Sequence, residues 1–452
     1  MRNTSRFFKN TDCSYFPCHG GVDADDFNCL FCYCPLYTRE VCPGSPDFIT
    51  KDGGSVVKRC VGCAFPHRPE NYERIISLLR GSKGAFDFAE YHHGGERRPG
   101  GQRGADFLDF SVNVNPLGIP PRVIEAVQNA LPEIARYPDQ HCASLREKIA
   151  EKLAVLPGVD VSASQIVCGN GASELISLVA SSVAPGNALV LAPTFSGYEK
   201  SLKAVRAKIH HHFLREETGF SLNETIFDSI REAAPDIIFL CSPNNPTGRV
   251  IDKNLLERVA AYCDGAGIFL VVDECFLGFT GRVAETAARL VGKNPHLVVL
   301  GALTKIYALA GIRLGFALSS NHALLRKINL LRPEWSVSTL AQVAGEAALD
   351  EDGYIEETIR AVRVEREFLS AELKALGFEV FFGEANFLLF RSNDDKMSEK
   401  LDDFLLRNGI SLRNCGNFHG LSERFYRTAV RSRKENARLI EILSEFVICW
   451  GK

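Results

Sequence analysis

Residues 300–316 read LGALTKIYALAGIRLGF, and this stretch decides how the rest of the sequence is interpreted. It starts at the end of a predicted strand, HLVVLG, and carries Lys305 shortly after it. Arg313 follows eight residues later, just before a second predicted strand, IRLGFAL. A lysine that follows a strand is usually only a solvated cation, so its meaning depends on its neighbours along the chain.

Those neighbours form a regular series, in which apolar runs alternate with helical patterns from Arg122 onward. The runs are QIVCG, NALVLAP, DIIFLCSP, GIFLVVDE, HLVVLG and IRLGFAL. This alternation is typical of an α/β fold with a mainly parallel sheet covered by helices, in which ligands bind at the carboxyl ends of the strands. From about Asn321, helical patterns and the short strands FEVFF and ANFLLF indicate a smaller α+β domain.

The composition excludes some classes of partner. The chain has 52 Lys+Arg against 55 Asp+Glu, a formal charge of -3, which favours neither nucleic acid nor an anionic membrane surface. No apolar run approaches the roughly 20 residues that span a bilayer, and the start MRNTSRFFKN lacks the apolar core of a signal peptide. We therefore expect a cytoplasmic protein.

The sequence divides into three parts. Residues 1–70 are predicted to form a small cysteine-rich metal-binding domain, and residues 71–104 a linker that contains the helical pattern NYERIISLLR and the glycine-rich stretch GERRPGGQRG. Residues 105–452 form the predicted catalytic region. Its large domain covers about 136–320, and the flanking segments supply the small domain.

Eight of the fifteen cysteines lie in the first 63 residues. Two CxxC pairs among them suit tetrahedral thiolate coordination, with zinc as first choice and an iron-sulfur cluster as second. The eight cysteines could supply two four-ligand sites, or one site and four cysteines that bind no metal. The alternative is that none of the eight thiols binds a metal. FNCLFCYCPLY and the later CxxC resemble the cysteine-rich small domain found with cobamide-synthesis proteins, where structural stapling and protein docking are both open roles. The predicted ligands are Cys13, Cys18, Cys29, Cys32, Cys34, Cys42, Cys60 and Cys63, with His19 and His67 nearby.

The segment around Lys305 resembles the lysine segment of fold-type-I pyridoxal-phosphate enzymes, the class I and II aminotransferases and their decarboxylase relatives. The resemblance runs from about Tyr91 to the C-terminus. It implies that Lys305 binds the cofactor covalently and that Thr304 and Arg313 hold its phosphate. It also implies a phosphate cradle at the start of a helix, made of Gly171, Ala172 and Ser173, and a contribution of Tyr137 to the phosphate site of a neighbouring subunit.

The chemistry of the cofactor assigns further residues within this resemblance. Its ring nitrogen needs a buried carboxylate, which Asp273 would supply at the end of GIFLVVDE. Asn245 in SPNNPTG would donate to the phenolate oxygen, and Phe195 in APTFSGY would stack on the ring. Two departures, Ala302 and Phe276, each remove one hydrogen bond that the family commonly makes, but we expect cofactor binding to survive both.

The C-terminal stretch GISLRNCGNFHGLSERFYRTAVRSRKEN, residues 409–436, is more specific. It resembles the L-threonine-O-3-phosphate decarboxylases of cobalamin biosynthesis, as do YHHGG, DFSVNVNPLG and RYPDQHCASLREKIA near the start of the body. Arg413 and Arg427 are the matching arginines, and a phosphorylated amino acid with about three negative charges requires more than one guanidinium. Asn113 and Asn245 are candidate substrate contacts, whereas Arg431 is interpreted as a surface cation.

The implied reaction is the decarboxylation of L-threonine O-3-phosphate to 1-aminopropan-2-ol phosphate, in which Lys305 returns a proton to Cα. Asn414 and Gly416 depart from the family pattern, so O-phosphoserine, which gives ethanolamine phosphate, is an open alternative. A histidinol-phosphate aminotransferase is the second alternative. A non-enzymatic pyridoxal-binding regulator is disfavoured because no basic DNA-binding head is present. The family forms its sites at subunit interfaces, so we expect a homodimer.

Overall fold

The computed structural model describes residues 4–37, 44, 47–50, 56–81, 95 and 107–450. The chain separates into two compact units, Met1–Glu90 and Tyr91–Lys452. Helix α1, Tyr72–Gly81, is grouped with the first unit, although the sequence places it in the linker. The domain boundaries drawn from the sequence otherwise stay a prediction.

The first unit is built mainly of turns. Its regular elements are the antiparallel strands β1 and β2 and helix α1, which cover Asp47–Thr50, Val56–Arg59 and Tyr72–Gly81. Phe27, Leu36 and Ile75 are fully buried, and the ring of His67 stacks on Phe27 with centroids 4.4 Å apart. A core this small stabilises a domain only weakly, and metal ligation would add to that stability.

The second unit is centred on a seven-stranded sheet of order β4-β10-β9-β8-β7-β5-β6, in which only β10 runs antiparallel to its neighbours. Strands β7 and β9 are buried along their whole length because helices cover both faces of the sheet. The strands are β4 Ile166–Gly169, β5 Asn187–Ala192, β6 Lys208–Phe213, β7 Ile237–Cys241, β8 Phe269–Asp273, β9 Leu297–Ala302 and β10 Gly315–Leu318.

A four-stranded antiparallel sheet of order β11-β12-β15-β14 forms the second layer of this unit. Residues before the large sheet contact this layer, because the Ala429 N–H at the end of β15 donates to the Phe110 carbonyl at 2.9 Å. Strand β3 pairs in parallel with β13 in a separate two-stranded sheet. These strands are β3 Leu108–Asp109, β11 Glu379–Phe381, β12 Phe387–Arg391, β13 Ile410–Ser411, β14 Arg413–Asn414 and β15 Phe425–Ala429.

Twelve further helices complete the described part of the second unit. They are α2 Pro121–Asn129, α3 Ala143–Ala154, α4 Ala172–Val183, α5 Gly197–Ala204, α6 Ile226–Ala233, α7 Lys253–Ala266, α8 Leu303–Ile306, α9 His322–Leu331, α10 Thr339–Leu349, α11 Tyr354–Ala375, α12 Asp395–Arg407 and α13 Arg433–Trp450. Within the described ranges, no helix combines the length and the apolar character needed to cross a bilayer.

The predicted fold class is confirmed: a mixed, mostly parallel sheet lies beside a smaller α+β part, and a cysteine-rich segment precedes both. All six apolar runs are strands of the large sheet. The sequence interpretation missed the edge strand β6, KIHHHF, because its three consecutive histidines break the apolar pattern. An edge strand tolerates polar residues because one of its sides faces no further strand.

Candidate functional site

The carboxyl ends of β7, β8 and β9 open on a cavity of about 240 Å³ in the second unit. Because the strands are parallel, side chains far apart in sequence meet at this edge. The cavity is lined by eleven of the residues that the sequence singled out, which are Asn113, Ala172, Ser173, Phe195, Asn245, Asp273, Thr304, Lys305, Arg313, Arg413 and Arg427.

Lys305 lies on the short helix α8, directly after β9. Burial, together with the positive charges of Arg427 and Arg313, lowers the pKa of its amine to about 8. A depressed pKa leaves a larger fraction of the amine neutral near neutral pH, and only a neutral amine can attack a carbonyl group. The surroundings of Lys305 thus favour covalent chemistry at Nζ.

Asp273 ends β8 and is almost fully buried. Its carboxylate accepts hydrogen bonds from the Tyr198 hydroxyl at 2.7 Å and from the Cys275 N–H at 3.0 Å. Burial, and then the charge of Asp273, raise the pKa of Tyr198 well above its usual value, so this hydroxyl remains a donor. The carboxylate is therefore held in place and can face a ring nitrogen.

Tyr198 and Cys275 are lining residues that the sequence interpretation did not assign. A signal for Tyr198 was present, because it follows Phe195 by three residues, and the two rings pack edge to face at 5.5 Å. The other unassigned lining residues are Ser111, Val112, Ile176, Ser196, Cys241 and Phe418. The departures Phe276 and Ala302 also line the cavity.

The start of α4 forms a tight cradle in which Gly171 is the N-cap with a φ of +83°. A Cβ at this position would lie 2.6 Å from Nη2 of Arg313, so the guanidinium approaches the backbone as closely as glycine allows. The helix N-terminus and Arg313 together present positive charge to one point, as a phosphate site requires.

Arg427, on β15, is buried and crosses from the small sheet to the loop after β7. Its guanidinium donates to Oδ1 of Asn245 and, at 2.7 Å, to the carbonyl of Ser111. With its amide oxygen turned toward the guanidinium, Asn113 accepts from Nε at 3.3 Å and Nη1 at 3.2 Å. The structure thus joins three predicted substrate residues in one hydrogen-bonded group.

Arg413, on β14, lines the same cavity and is the direct cross-strand partner of Arg427 on β15. It donates to Oδ1 of Asn417 at 2.7 Å, and its guanidinium lies 5.1 Å from the ring centroid of Phe418. Two guanidiniums consequently face the space beside Lys305. An anionic substrate would find both charges there.

Two residues lie apart from the cavity lining. Tyr137 is 79 % exposed and stacks on Trp335 at 4.5 Å, so its predicted role across a subunit interface stays a prediction. The interpretation of Arg431 as a plain surface cation was wrong: it is partly buried, and it bonds the Glu435 carboxylate and the Asp109 carbonyl. Its charge is used inside the fold because β15 and α13 meet there.

The first unit brings its cysteines into two neighbourhoods. Burial raises the pKa of Cys18, and the nearby Cys32, Cys29 and Cys13 raise it further. A second cavity, of about 440 Å³, is lined by further predicted ligands, namely Cys32, Cys34, Cys60 and Cys63, together with His19 and His67. Cys42 lies outside the described residues. The two neighbourhoods share Cys32.

His67 has the properties of a metal ligand that the sequence interpretation only noted as nearby. Its Nδ1 contacts the Asn28 carbonyl at 3.0 Å, which leaves Nε2 with its lone pair. Nε2 is buried, and the residues that the structure describes offer it no hydrogen-bond partner. The ligand atoms of Cys18, His19 and His67 lie within 4.8 Å of one another, so this donor set fits a thiolate-preferring metal such as zinc.

The residues of the cavity in the second unit, which contains Lys305, likewise fit pyridoxal phosphate. The backbone at Gly171, which Arg313 approaches closely, matches the cofactor phosphate. The buried amine of Lys305 matches the aldehyde, and the fixed carboxylate of Asp273 matches the ring nitrogen. The residues that would hold the cofactor are Gly171, Ala172, Ser173, Phe195, Asn245, Asp273, Thr304, Lys305 and Arg313.

Comparisons with known proteins agree with this site. Residues 105–443 match the family Aminotransferase class I and II, and residues 4–84 match the family Cysteine-rich small domain. Threonine-phosphate decarboxylase of Salmonella typhimurium is 37% identical over 339 residues, which are 74% of this chain and 90% of that protein. Histidinol-phosphate aminotransferase of Methanothermobacter thermautotrophicus is 32% identical over 76% of this chain and 89% of that protein.

Among solved structures, the histidinol-phosphate aminotransferase from Clostridium acetobutylicum superposes with a TM-score of 0.69 at 30% sequence identity, covering 76% of this chain and 99% of that one. The fold, the covalently competent lysine and the family match point the same way. The chain therefore belongs to the aminotransferase class I and II family and is a pyridoxal-phosphate-dependent enzyme.

Proposed function

We propose that this enzyme decarboxylates L-threonine O-3-phosphate to 1-aminopropan-2-ol O-phosphate, which serves the nucleotide loop of a cobamide. The observation that carries the proposal is the pair Arg413 and Arg427, which face the same cavity as Lys305. The similarity to a threonine-phosphate decarboxylase over most of both chains supports it.

The two guanidiniums would bind the substrate's carboxylate and phosphate, because each can form paired, charge-assisted hydrogen bonds with an oxyanion. Asn245 and Ser111 hold the Arg427 guanidinium in place in the cavity. Arg413, on the neighbouring strand, is held by Asn417. Together they would fix Cα of the substrate close to Lys305.

Pyridoxal phosphate, when bound, withdraws the electron pair that the departing carboxyl group leaves behind. Asp273 would keep the ring nitrogen protonated, and Tyr198 would hold that carboxylate in position. Lys305 would hold the proton that is then delivered to Cα, for which a pKa of about 8 is well suited near neutral pH.

Two alternatives remain for the substrate. O-Phosphoserine differs from phosphothreonine by one methyl group, which a pocket distinguishes by only about 1–3 kcal/mol. Histidinol phosphate is the other, because relatives named histidinol-phosphate aminotransferase share the fold and a similar level of identity.

One assay separates the three substrates. The purified protein, loaded with pyridoxal phosphate, is incubated with each compound, while release of carbon dioxide and oxoglutarate-dependent transamination are followed separately. We expect carbon dioxide from phosphothreonine with the highest kcat/KM. Transamination of histidinol phosphate without carbon dioxide from either phosphoamino acid would contradict the proposal.

For the first unit we propose zinc bound by its cysteines, with a structural role, and an iron-sulfur cluster as the alternative metal centre. The buried Nε2 of His67 and the grouped cysteines support metal binding. A homodimer, a cytoplasmic location and docking to other cobamide-synthesis enzymes complete the proposal. The exposed Tyr137 supports the dimer, which a measurement of solution mass would test.

A further inference from the structure

A second group of metal-ligating side chains lies in the catalytic unit, outside the cavity lining. Glu199 belongs to α5, His211 to the edge strand β6, and His419 to the segment between β14 and β15. Their ligand atoms all lie within 4.8 Å of one another. Glu199 and His211 are 12 positions apart, on consecutive elements, and the fold brings the distant His419 to them.

The distances match those of ligands around one ion. Both imidazoles point Nε2 at the same carboxylate oxygen, Oε1 of Glu199, at 3.1 Å for His211 and 3.4 Å for His419. Zinc bonds of about 2.0–2.1 Å in a tetrahedron place neighbouring ligand atoms about 3.3 Å apart. The two distances from Oε1 of Glu199 have the length of such an edge.

The surroundings suit a charged ligand set. The Glu199 side chain is only 12 % exposed, and burial by itself would raise the pKa of its carboxyl. The hydrogen bond from His211 and the charge of His419 nevertheless lower that pKa below its usual value. His419 is 58 % exposed, which leaves a path for an ion to enter.

An ordinary ion pair is a weaker explanation for this cluster. Of the two imidazoles only His419 is well exposed, and an exposed pair contributes only about 0–1 kcal/mol. In an ion pair, both histidines would also have to direct an N–H at one oxygen. With a metal ion, both lone pairs and the oxygen instead face a common centre. Two histidines and one carboxylate are a zinc donor set that leaves a fourth position for water.

We propose that Glu199, His211 and His419 bind one zinc ion, distinct from any metal of the cysteine-rich unit. The ion positions the wall of the active-site cavity. His419 directly follows Phe418, and α5 directly follows Ser196, and both of these residues line that cavity. The ion thus ties the segment that carries Arg413 and Asn417 to the edge of the large sheet.

The contact of Gly420 supports such a tie. With a φ of +85°, it lies so that a Cβ would be 3.4 Å from the Phe213 ring and 3.7 Å from the Ala192 carbonyl. The segment therefore already rests on the ends of β5 and β6. A bound ion would hold it there.

Cobalt(II) binding by the full-length, metal-stripped protein tests the proposal without any substrate. Thiolate ligands give intense charge-transfer bands, whereas a site of two histidines and a carboxylate gives only weaker visible bands, so the spectrum separates the two kinds of site. We expect His419→Ala and Glu199→Gln each to bind one equivalent of cobalt(II) less than the wild type. Each variant should lose the weaker visible bands and keep the intense thiolate charge-transfer bands. His322→Ala, which removes an exposed histidine on α9, should bind as the wild type does.

Circular dichroism of the metal-free proteins checks that the variants fold. If His419→Ala fails to fold, Glu199→Gln still provides the test, because glutamine has nearly the same shape as glutamate. Equal stoichiometry and equal spectra for the wild type and a folded variant would overturn the proposal. A wild-type spectrum that contains thiolate sites alone would overturn it as well. The outcome does not depend on which amino acid the enzyme decarboxylates.

Discussion

The surroundings of Lys305 bring the pKa of its amine close to neutral pH. Its pKa is lowered from 10.5 to about 8, mainly by burial. Because only the neutral amine condenses with an aldehyde, we expect covalent attachment of pyridoxal phosphate to the cofactor-free protein to accelerate as the pH rises through about 8 and then to level off. Stopped-flow absorbance measures this rate.

The control for that experiment is Lys305→Met, which should attach no cofactor and release no carbon dioxide. A rate that keeps rising up to about pH 10 would show that the amine keeps its ordinary pKa and that burial does not act as described.

Arg427 tests whether the shape of the cation matters as well as its charge. In Arg427→Lys the compact ammonium lacks the planar fork with which the guanidinium reaches Asn245 and the Ser111 carbonyl and can pair with a substrate oxyanion. One lost charge-assisted hydrogen bond to the substrate, about 1.5–3 kcal/mol, corresponds to a fall in kcat/KM of about 12- to 140-fold. Steady-state decarboxylation gives the value.

Arg431→Lys is the matched control, since Arg431 bonds Glu435 and a backbone carbonyl instead of lining the cavity. Equal losses of kcat/KM in the two variants would argue that Arg427 supports the fold and does not bind substrate.

At the scale of elements, the junction of β4 and α4 forms the proposed phosphate site. Gly171→Ala would force an L-residue into a left-handed conformation and also place a methyl group against Arg313. We expect a clearly weaker apparent Kd for pyridoxal phosphate, measured by titrating the cofactor-free protein. The backbone strain alone costs about 1–2 kcal/mol of stability.

Gly353→Ala separates strain from cradle geometry. Gly353 also has a positive φ, +78°, but its ψ of -13° puts it in the αL region, and a Cβ there meets no atom within 4 Å. Gly171, with a ψ of 166°, lies in a region that is essentially restricted to glycine, so Gly171→Ala should lose at least as much stability in thermal unfolding as Gly353→Ala, and only Gly171→Ala should lose cofactor affinity. Unchanged affinity in Gly171→Ala would remove this junction from the phosphate site.

The turns of the first unit provide a second test at this scale. If the buried Nε2 of His67 is a metal ligand, His67→Ala should lower zinc affinity and the thermal stability of the unit. Competition with a chromophoric chelator measures the affinity. His141→Ala, an exposed histidine of the other unit, is the control, and equal zinc affinity in both variants would leave only the cysteines as ligands.

For the whole molecule, the division into Met1–Glu90 and Tyr91–Lys452 places every residue of the catalytic cavity in the second unit. We expect a chain that starts at Tyr91 to keep its decarboxylase activity, measured as carbon dioxide release per cofactor bound. Full turnover together with lost binding to partner enzymes would indicate that the first unit docks. Insoluble protein would instead indicate that it stabilises the catalytic unit, and would contradict our expectation.

The sequence by itself determined the strands and the order of the cofactor motifs. The six apolar runs and the Gly171, Asn245, Asp273 and Lys305 motifs are local patterns, and local periodicity is what a linear sequence encodes. The edge strand β6 was not predicted, because an edge strand is covered on fewer sides and need not show the apolar pattern of a buried strand.

Only the tertiary structure decided which side chains meet. Arg427 and Asn245 are 182 positions apart, and Tyr198 and Asp273 are 75 apart, yet each pair is hydrogen-bonded. The same holds for Glu199, His211 and His419, and for the orphaned nitrogen of His67. Sheet order and strand direction fix such contacts, and neither is written in the spacing of residues along the chain.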